Sequence, residues 1–156
     1  IAQFLKTTKA LEHRLENFFL KKNTLFVNDS KGTNVESTVK AIEAFKNKVV
    51  LIAGGENKKI CNDELIKKIN ERVGFVYLIG ETGTILAEEM DKVGYKKYKN
   101  LGTLEKVLLD IRENIDFEDG QTILFSPATA SFDQFKNFEE RGRIFKELTN
   151  KILGEK

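Results

Sequence analysis

Short, continuous apolar runs alternate with segments of helical periodicity along this chain. The runs lie at residues 24–27, 49–53, 75–79 and 122–125. A strand that is covered on both faces is apolar throughout, whereas a half-exposed strand alternates apolar and polar residues. The four runs therefore predict four buried strands of a mostly parallel sheet.

The segments between the runs have apolar residues spaced as on one face of a helix. Thr33, followed by Glu36 three residues later, predicts a capping box. Further predicted N-caps are Asn62, Thr82 and Thr103. The predicted helix faces are Val35, Val39, Ile42 and Phe45; then Leu65, Ile66 and Ile69; then Leu104, Val107, Leu108, Ile111 and Ile115.

Both ends of the pattern add further elements. Residues 15–21 and 24–27 flank Lys22-Asn23, which predicts an antiparallel hairpin. Residues 95–99 predict a weak edge strand whose lysines discourage pairing between sheet edges. A last helix is expected to approach its neighbours closely at Gly142 and to turn four side chains inward, namely Phe138, Phe145, Leu148 and Ile152.

Alternation of strands and helices, with connections long enough for crossovers, predicts an α/β fold. We expect a Rossmann-like three-layer domain. Its sheet of about six strands is mostly parallel, begins with an antiparallel hairpin and has helices on both faces. Residues 1–156 show no internal linker and are expected to form a single domain.

Composition narrows the class of protein. The 156 residues carry a net charge of +2, and no apolar run approaches the roughly 18 residues of a membrane span, so we expect neither a nucleic-acid nor a membrane partner. A single cysteine, Cys61, cannot form an internal disulfide and suits the cytoplasm. One histidine and one cysteine predict no zinc site. The chain begins with Ile1 and not with methionine, so we expect a piece of a longer protein.

Polar side chains cluster in the turns that follow the four predicted strands. Carboxyl ends of parallel strands meet at one edge of a sheet, where ligands bind. Lysines, hydroxyl groups and helix-start amides at this edge predict an anion site for more than one carboxylate or phosphate. The residues expected to converge there are Asp29, Lys31, Thr33, Lys58 and Ser131.

Each of these residues also has an ordinary structural explanation. Gly54-Gly55 suits a sharp turn, Ser131 or Asp133 suits a helix cap, and Lys58 suits solvated surface. The chain has no complete phosphate loop of the Gly-x-x-x-x-Gly-Lys-Ser/Thr type and no nucleophile elbow. Any catalysis would therefore depend on positioning and electrostatics.

Several motifs, in order, resemble the carboxy-terminal domain of the MurD family of Mur ligases. The resemblance covers residues 10–150, almost the whole chain. Thr129 stands where that family usually has cysteine. The matching segments are Glu12-His13-Arg14-Leu15-Glu16, Asn28-Asp29-Ser30-Lys31-Gly32-Thr33-Asn34 with Ser37-Thr38, Gly54-Gly55 with Lys58, Ser126 to Phe135, and Phe138 with Arg141-Gly142.

The resemblance implies one domain of a three-domain, ATP-dependent ligase of peptidoglycan synthesis. Such ligases join D-glutamate to UDP-N-acetylmuramoyl-L-alanine through an acyl phosphate. The amino-terminal domain would hold the UDP-sugar, and the central domain would hold the ATP phosphates and most of the Mg²⁺ ligands. We expect a cytoplasmic bacterial protein, a monomer, whose isolated third domain is inactive.

Roles follow from the resemblance, residue by residue. Lys31 would offset negative charge at the reacting centre and is the expected catalytic residue. The expected contacts to ATP are His13, Arg14 and Asp29. Thr33 and Lys58 would hold the α-carboxylate of D-glutamate. Its side-chain carboxylate would be held by Ser131 and by the backbone amides of Phe132 and Phe138.

Three alternatives remain at this point. One is a domain of another Mur or folylpolyglutamate ligase, which differs in the amino acid that it incorporates. Another is a non-catalytic module that binds a small dicarboxylate. The last is a structural α/β domain whose polar turns bind nothing.

Overall fold

The computed structural model describes residues 12–56 and 61–154. Within these residues, six strands and five helices alternate after an initial hairpin. The strands are β1 (Glu16–Lys21), β2 (Thr24–Asn28), β3 (Lys48–Ala53), β4 (Val73–Ile79), β5 (Tyr98–Gly102) and β6 (Gln121–Phe125). The helices are α1 (Val35–Glu43), α2 (Asp63–Arg72), α3 (Thr82–Lys92), α4 (Leu104–Asn114) and α5 (Phe138–Leu153).

All six strands form one sheet in the order β1-β2-β6-β3-β4-β5. The β1–β2 pair is antiparallel and every other pair is parallel. In the register, Phe125 of β6 lies opposite Asn28 of β2 on one side and Ile52 of β3 on the other. These strands therefore end at the same level, and the turns that follow them lie at one edge of the sheet.

The sheet has a hydrophobic core on each face, because successive residues of a buried strand point to opposite sides. Leu25 and Val27 of β2 pack on the face covered by α1, α2 and α3. Phe26 between them packs on the other face, against α4 and α5. The predicted three-layer α/β fold, its mostly parallel six-stranded sheet and its amino-terminal hairpin are confirmed.

The structure corrects three local predictions. The edge strand is β5 and begins three residues later than predicted, because Tyr95 is buried and its hydroxyl group donates a hydrogen bond to Val73 O. Asn34, and not Thr33, caps α1 by accepting a hydrogen bond from Ser37 N at 2.8 Å. Thr82 is a residue of α3 and not its N-cap.

The other two predicted N-caps differ from each other. Thr103 caps α4 as predicted, since its hydroxyl group accepts from Lys106 N. Asn62 occupies the N-cap position of α2, but its side chain makes no capping hydrogen bond. None of the helices in the described part of the chain is long and apolar enough to cross a membrane.

Candidate functional site

A cavity of about 260 Å³ opens beside the turn that follows β2. It brings Arg14, Asp29 and Lys31 together, three of the residues that the sequence predicted for ATP binding and catalysis. Lys40 of α1 adds another cation to the lining. The described residues that line it are Arg14, Leu15, Asp29, Lys31, Gly32, Ser37, Lys40 and Ala41.

Asp29 forms the inner wall of this first cavity and also holds the surrounding loops together. Its Oδ1 accepts a hydrogen bond from Leu15 N, and its Oδ2 accepts one from Ser126 Oγ at 2.7 Å. Burial raises the pKa of Asp29, while these hydrogen bonds and the charges of Arg14 and Arg141 act in the opposite direction. The carboxylate thereby fixes the turn that carries Arg14 against the ends of β2 and β6.

His13 lies behind the first cavity and does not line it. Its ring is buried, and Asn28 Nδ2 donates a hydrogen bond to its Nδ1 at 2.9 Å. This pairing places the proton of a neutral imidazole on Nε2. The backbone oxygen of His13 accepts from Lys31 N at 2.8 Å. His13 therefore supports Lys31 through the backbone.

A second cavity, of about 350 Å³, lies where the loop after β6 meets the start of α5. It brings together four of the five residues predicted to hold D-glutamate: Thr33, Ser131, Phe132 and Phe138. The remaining lining residues are Ala130, Asn137 and Glu139.

Ser131 is the most unusual group in the second cavity. Its Oγ is buried and has no hydrogen-bond partner among the residues that the structure describes. A buried hydroxyl group without a partner costs roughly 1–3 kcal/mol, so the Ser131 hydroxyl group retains the capacity to bond to a molecule bound at the cavity wall. Phe132 next to it also lines the cavity and is 64% exposed.

Lys31 connects the two cavities. Lys31 lines the first cavity, and its Nζ lies 5.6 Å from the centre of the ring of Phe138, a residue that lines the second. A cation over an aromatic face is electrostatically favourable. The ammonium group is therefore placed between a site rich in cations and a site with an unpaired hydroxyl group.

Lys58, the fifth predicted D-glutamate residue, lies outside the described residues. The chain just before it contacts the wall of the second cavity, since Glu56 N donates a hydrogen bond to Ala130 O at 3.0 Å. The loop after β3 thus leaves the sheet beside the second cavity.

Arg141 is a residue of this site for which sequence reasoning predicted no role. Its side chain is fully buried beneath the loops. The guanidinium group donates to Ser30 Oγ, Ser30 O and Thr129 O at 2.7–3.0 Å. It joins the loop of Lys31 to the loop of Ser131, and burial lowers its pKa to about 10. The signal in the sequence was a cation at helical spacing from Phe138 and Phe145.

A group of possible metal ligands lies near His13 but is already compensated. Glu12, His13 and Glu16 offer ligand atoms within 4.8 Å of one another. Lys146 Nζ contacts the carboxylates of both glutamates at 2.8–3.2 Å. An ammonium ion in this position disfavours a second cation.

Comparisons with known proteins identify the family of this chain. Residues 13–129, more than half of the chain, match the family model described as Mur ligase, glutamate ligase domain. The chain belongs to the Mur ligase family. The predicted resemblance is confirmed.

Two curated relatives of this Mur ligase domain share the name UDP-N-acetylmuramoylalanine--D-glutamate ligase. The protein of Fusobacterium nucleatum is 44% identical over 156 residues, which cover 99% of this chain and 36% of that protein. The protein of Caldicellulosiruptor bescii is 39% identical over 154 residues, covering 98% and 33%. The chain thus spans about a third of the length of these relatives.

Solved structures show the same fold at low sequence identity. MurF ligase from Thermotoga maritima in complex with ADP gives a TM-score of 0.56 at 18% identity, covering 93% of this chain and 33% of that one. The bifunctional folylpolyglutamate synthase/dihydrofolate synthase from Yersinia pestis gives 0.61 at 16%, covering 90% and 32%.

Proposed function

We propose that this chain is the D-glutamate-binding domain of an ATP-dependent ligase and closes over its ATP site. The ligase adds D-glutamate to UDP-N-acetylmuramoyl-L-alanine in peptidoglycan synthesis. One observation carries the proposal: Lys31 lines the cationic cavity, and its ammonium group lies 5.6 Å from the ring of Phe138, which lines the second cavity together with Ser131. The name of the relatives supports the choice of substrates.

D-Glutamate occupies the second cavity in this proposal. Ser131 Oγ donates to its side-chain carboxylate, together with the backbone amides of Phe132 and Phe138. Phe138 is the first residue of α5, where amide groups lack intrahelical partners and the helix dipole favours an anion. Thr33 and Lys58 hold the α-carboxylate. A hydrogen bond to a charged group contributes about 1.5–3 kcal/mol, so two clamps fix both ends of the amino acid.

ATP lies against the first cavity. Arg14 and Asp29 contact the nucleotide, and His13 acts indirectly by holding Lys31 N. Arg14, Lys31 and Lys40 are suited to phosphate oxygens. Asp29 is the only carboxylate in this lining and both of its oxygens accept hydrogen bonds within the protein. We therefore assign most Mg²⁺ ligands to the remainder of the protein.

The reaction proceeds in two steps. The carboxylate of the L-alanine residue attacks the γ-phosphorus atom of ATP, which forms an acyl phosphate and releases ADP. The amine of D-glutamate then attacks the acyl carbon, and the tetrahedral intermediate loses phosphate and a proton to leave an amide. Lys31 offsets the negative charge on the reacting oxygens, while the carboxylate clamps orient the amine.

The other partners follow from this assignment. The remainder of the same protein, which corresponds to the other two thirds of the relatives, supplies the UDP-sugar site and the ATP phosphate loop. We propose that the ligase acts in the cytoplasm as a monomer.

Two substitutions in the full-length ligase test the proposal. Ser131→Ala removes the unpaired donor and Lys58→Ala removes a cation from the α-carboxylate. Each is expected to raise the KM for D-glutamate at least about tenfold, since each removes one charge-assisted hydrogen bond. The measurement is steady-state kinetics with each substrate varied in turn.

The control is Lys151→Ala, which changes an exposed lysine near the end of α5. Its KM values should equal those of the wild type, and the KM for ATP should change little in the Ser131→Ala ligase. An unchanged KM for D-glutamate in both test variants contradicts the assigned clamps. Incorporation of another amino acid in preference to D-glutamate contradicts the proposed substrate.

A further inference from the structure

A threonine of another element binds the backbone of Gly55 in the loop after β3. Thr82, in the first turn of α3, is 2% exposed. Its Oγ1 donates to Gly55 O at 2.7 Å and accepts from Gly55 N at 2.9 Å. Thr82 N also donates to Gly55 O at 3.0 Å. One residue thus satisfies both backbone groups of Gly55.

The hydroxyl group of Thr82 is not used to cap its own helix. Glu81 occupies the N-cap position of α3 and makes no side-chain capping hydrogen bond. The residue whose side-chain oxygen accepts from the free amide groups of a helix is the N-cap, and Thr82 lies one position after it. Here the oxygen is directed across to the loop, so its structural effect is on the loop and not on α3.

We call the hydrogen bonds between Thr82 and Gly55 the clasp. The loop that the clasp holds leads directly to the second cavity. Gly54 N donates to Pro127 O at 2.9 Å, and Glu56 N donates to Ala130 O at 3.0 Å. Ala130 lines the second cavity beside Ser131. A hydrogen-bonded path therefore runs from Thr82 through the loop to the wall that carries Ser131.

Close packing makes this path stiff. A Cβ atom at Gly55 would lie 2.5 Å from Ala130 O, and another at Gly80 would lie 2.8 Å from Gly55 Cα. Gly55 has no free space on either side, so it cannot shift without moving its neighbours. Gly55 and Ala130 are therefore in close contact as well as linked through the hydrogen bond of Glu56.

We propose that Thr82 is a positioning residue for the second cavity, the proposed D-glutamate site, although Thr82 does not line it. The inference rests on the proposed function, because it assigns to Thr82 an effect on the amino-acid substrate. By holding Gly55, Thr82 fixes the wall that carries Ser131. It acts on the geometry of the clamp for the side-chain carboxylate and not on the nucleotide cavity.

The test compares two substitutions in the full-length ligase. Thr82→Val keeps the shape of the side chain but removes the hydroxyl group, whereas Thr82→Ser keeps the hydroxyl group. Thr82→Val is expected to raise the KM for D-glutamate by about five- to tenfold, the equivalent of one lost hydrogen bond. Thr82→Ser is expected to remain within about twofold of the wild type, and the KM for ATP should change less than the KM for D-glutamate.

The matched control is Thr149→Val. Thr149 is equally buried, but its hydroxyl group donates only to Phe145 O within α5. This control separates the loss of any buried threonine hydroxyl group from the loss of the clasp. Amide hydrogen exchange provides a second readout, since Gly55 and Glu56 should exchange faster in the Thr82→Val ligase and at the wild-type rate in the control.

The outcomes separate the two proposals. A selective rise of the KM for D-glutamate in Thr82→Val, restored in Thr82→Ser, supports the positioning role. An unchanged KM in Thr82→Val, or equal changes for all substrates, overturns it while the ligase activity stands. A wild-type protein that does not incorporate D-glutamate overturns the proposed function, and the exchange rates of Gly55 then still report on the clasp.

Discussion

Arg141 illustrates how one residue organises this site. Its cation is buried, and none of the ion pairs within residues 12–56 and 61–154 includes it. Removing a charge from water is costly unless hydrogen bonds compensate for the loss. Three hydrogen bonds to Ser30 and Thr129 provide that compensation and tie two loops together. The charge also raises the positive potential beneath both cavities.

His13 gives a prediction about pH. Burial lowers its pKa, while Glu12 acts in the opposite direction. The unfolded chain has a histidine pKa of about 6.5 and therefore takes up the proton first as the pH falls. The stabilisation is complete above about pH 6.5 and is lost as the pH falls toward the folded-state pKa. The charged groups around the ring are Glu12, Glu16, Glu139 and Lys146.

His13 is the only histidine in the chain, so its ring signal can be followed by NMR without ambiguity. The expected result is a midpoint below 6.5, together with a free energy of unfolding that decreases from pH 7 to pH 5.5. The decrease should be smaller in His13→Gln, which lacks the titrating group. A midpoint at or above 6.5 would contradict the lowering of the His13 pKa by burial.

At the scale of elements, the site is built from strand ends and one helix start. β2, β3 and β6 end level with one another, so the loops that follow them lie side by side. The loop after β6 is held by α5, whose residue Arg141 bonds to Thr129 O, and by Asp133, whose carboxylate accepts from Glu81 N. The packing of helices against the sheet therefore determines the shape of both cavities.

The contact between α5 and the turn before β1 gives a prediction at this scale. Alanine normally stabilises a helix interior by about 0.8–1 kcal/mol relative to glycine. In α5, however, a Cβ atom at Gly142 would meet the His13 ring, with Cε1 at 2.7 Å. Overpacking costs about 1–3 kcal/mol, so Gly142→Ala is expected to lower the free energy of unfolding.

A double-mutant cycle isolates this contact. In a His13→Ala background the space is free, and Gly142→Ala should then be neutral or stabilising. Urea denaturation of the four chains measures the interaction. If Gly142→Ala has the same effect in both backgrounds, the contact between α5 and His13 does not limit the packing.

At the scale of the whole molecule, the proposed function makes this chain one side of a reaction centre. It spans about a third of the length of its curated relatives. Its 156 residues contain no complete phosphate loop of the Gly-x-x-x-x-Gly-Lys-Ser/Thr type. Both cavities lie on the surface formed by the strand ends, where another part of a ligase can close over them.

The purified 156-residue chain is therefore expected to hydrolyse ATP no faster than the background. The full-length ligase, assayed with D-glutamate and the L-alanine-bearing nucleotide, should release phosphate at a rate that depends on both. A coupled phosphate assay compares the two proteins. Turnover by the short chain after rigorous purification would mean that it holds a complete ATP site.

The sequence by itself determined the fold class and most of the elements. Burial on both faces of a parallel sheet requires continuous apolar runs, and residues 24–27, 49–53, 75–79 and 122–125 all lie in the strands of the structure. The parallel arrangement also placed the polar turns at one edge. The sequence thus predicts Lys31 and Ser131 at the edge of the sheet where the parallel strands end.

Tertiary structure alone decided how those turns are held. The hydroxyl group of Thr82 was predicted to cap α3, yet it binds Gly55, because Gly55 offers both a donor and an acceptor across the loop. The buried positions of His13 and Arg141 depend on residues more than 100 positions away, Gly142 for the first and Ser30 for the second. The spacing of apolar residues predicts single helices and strands. The contacts of His13 and Arg141 form only when distant segments pack together.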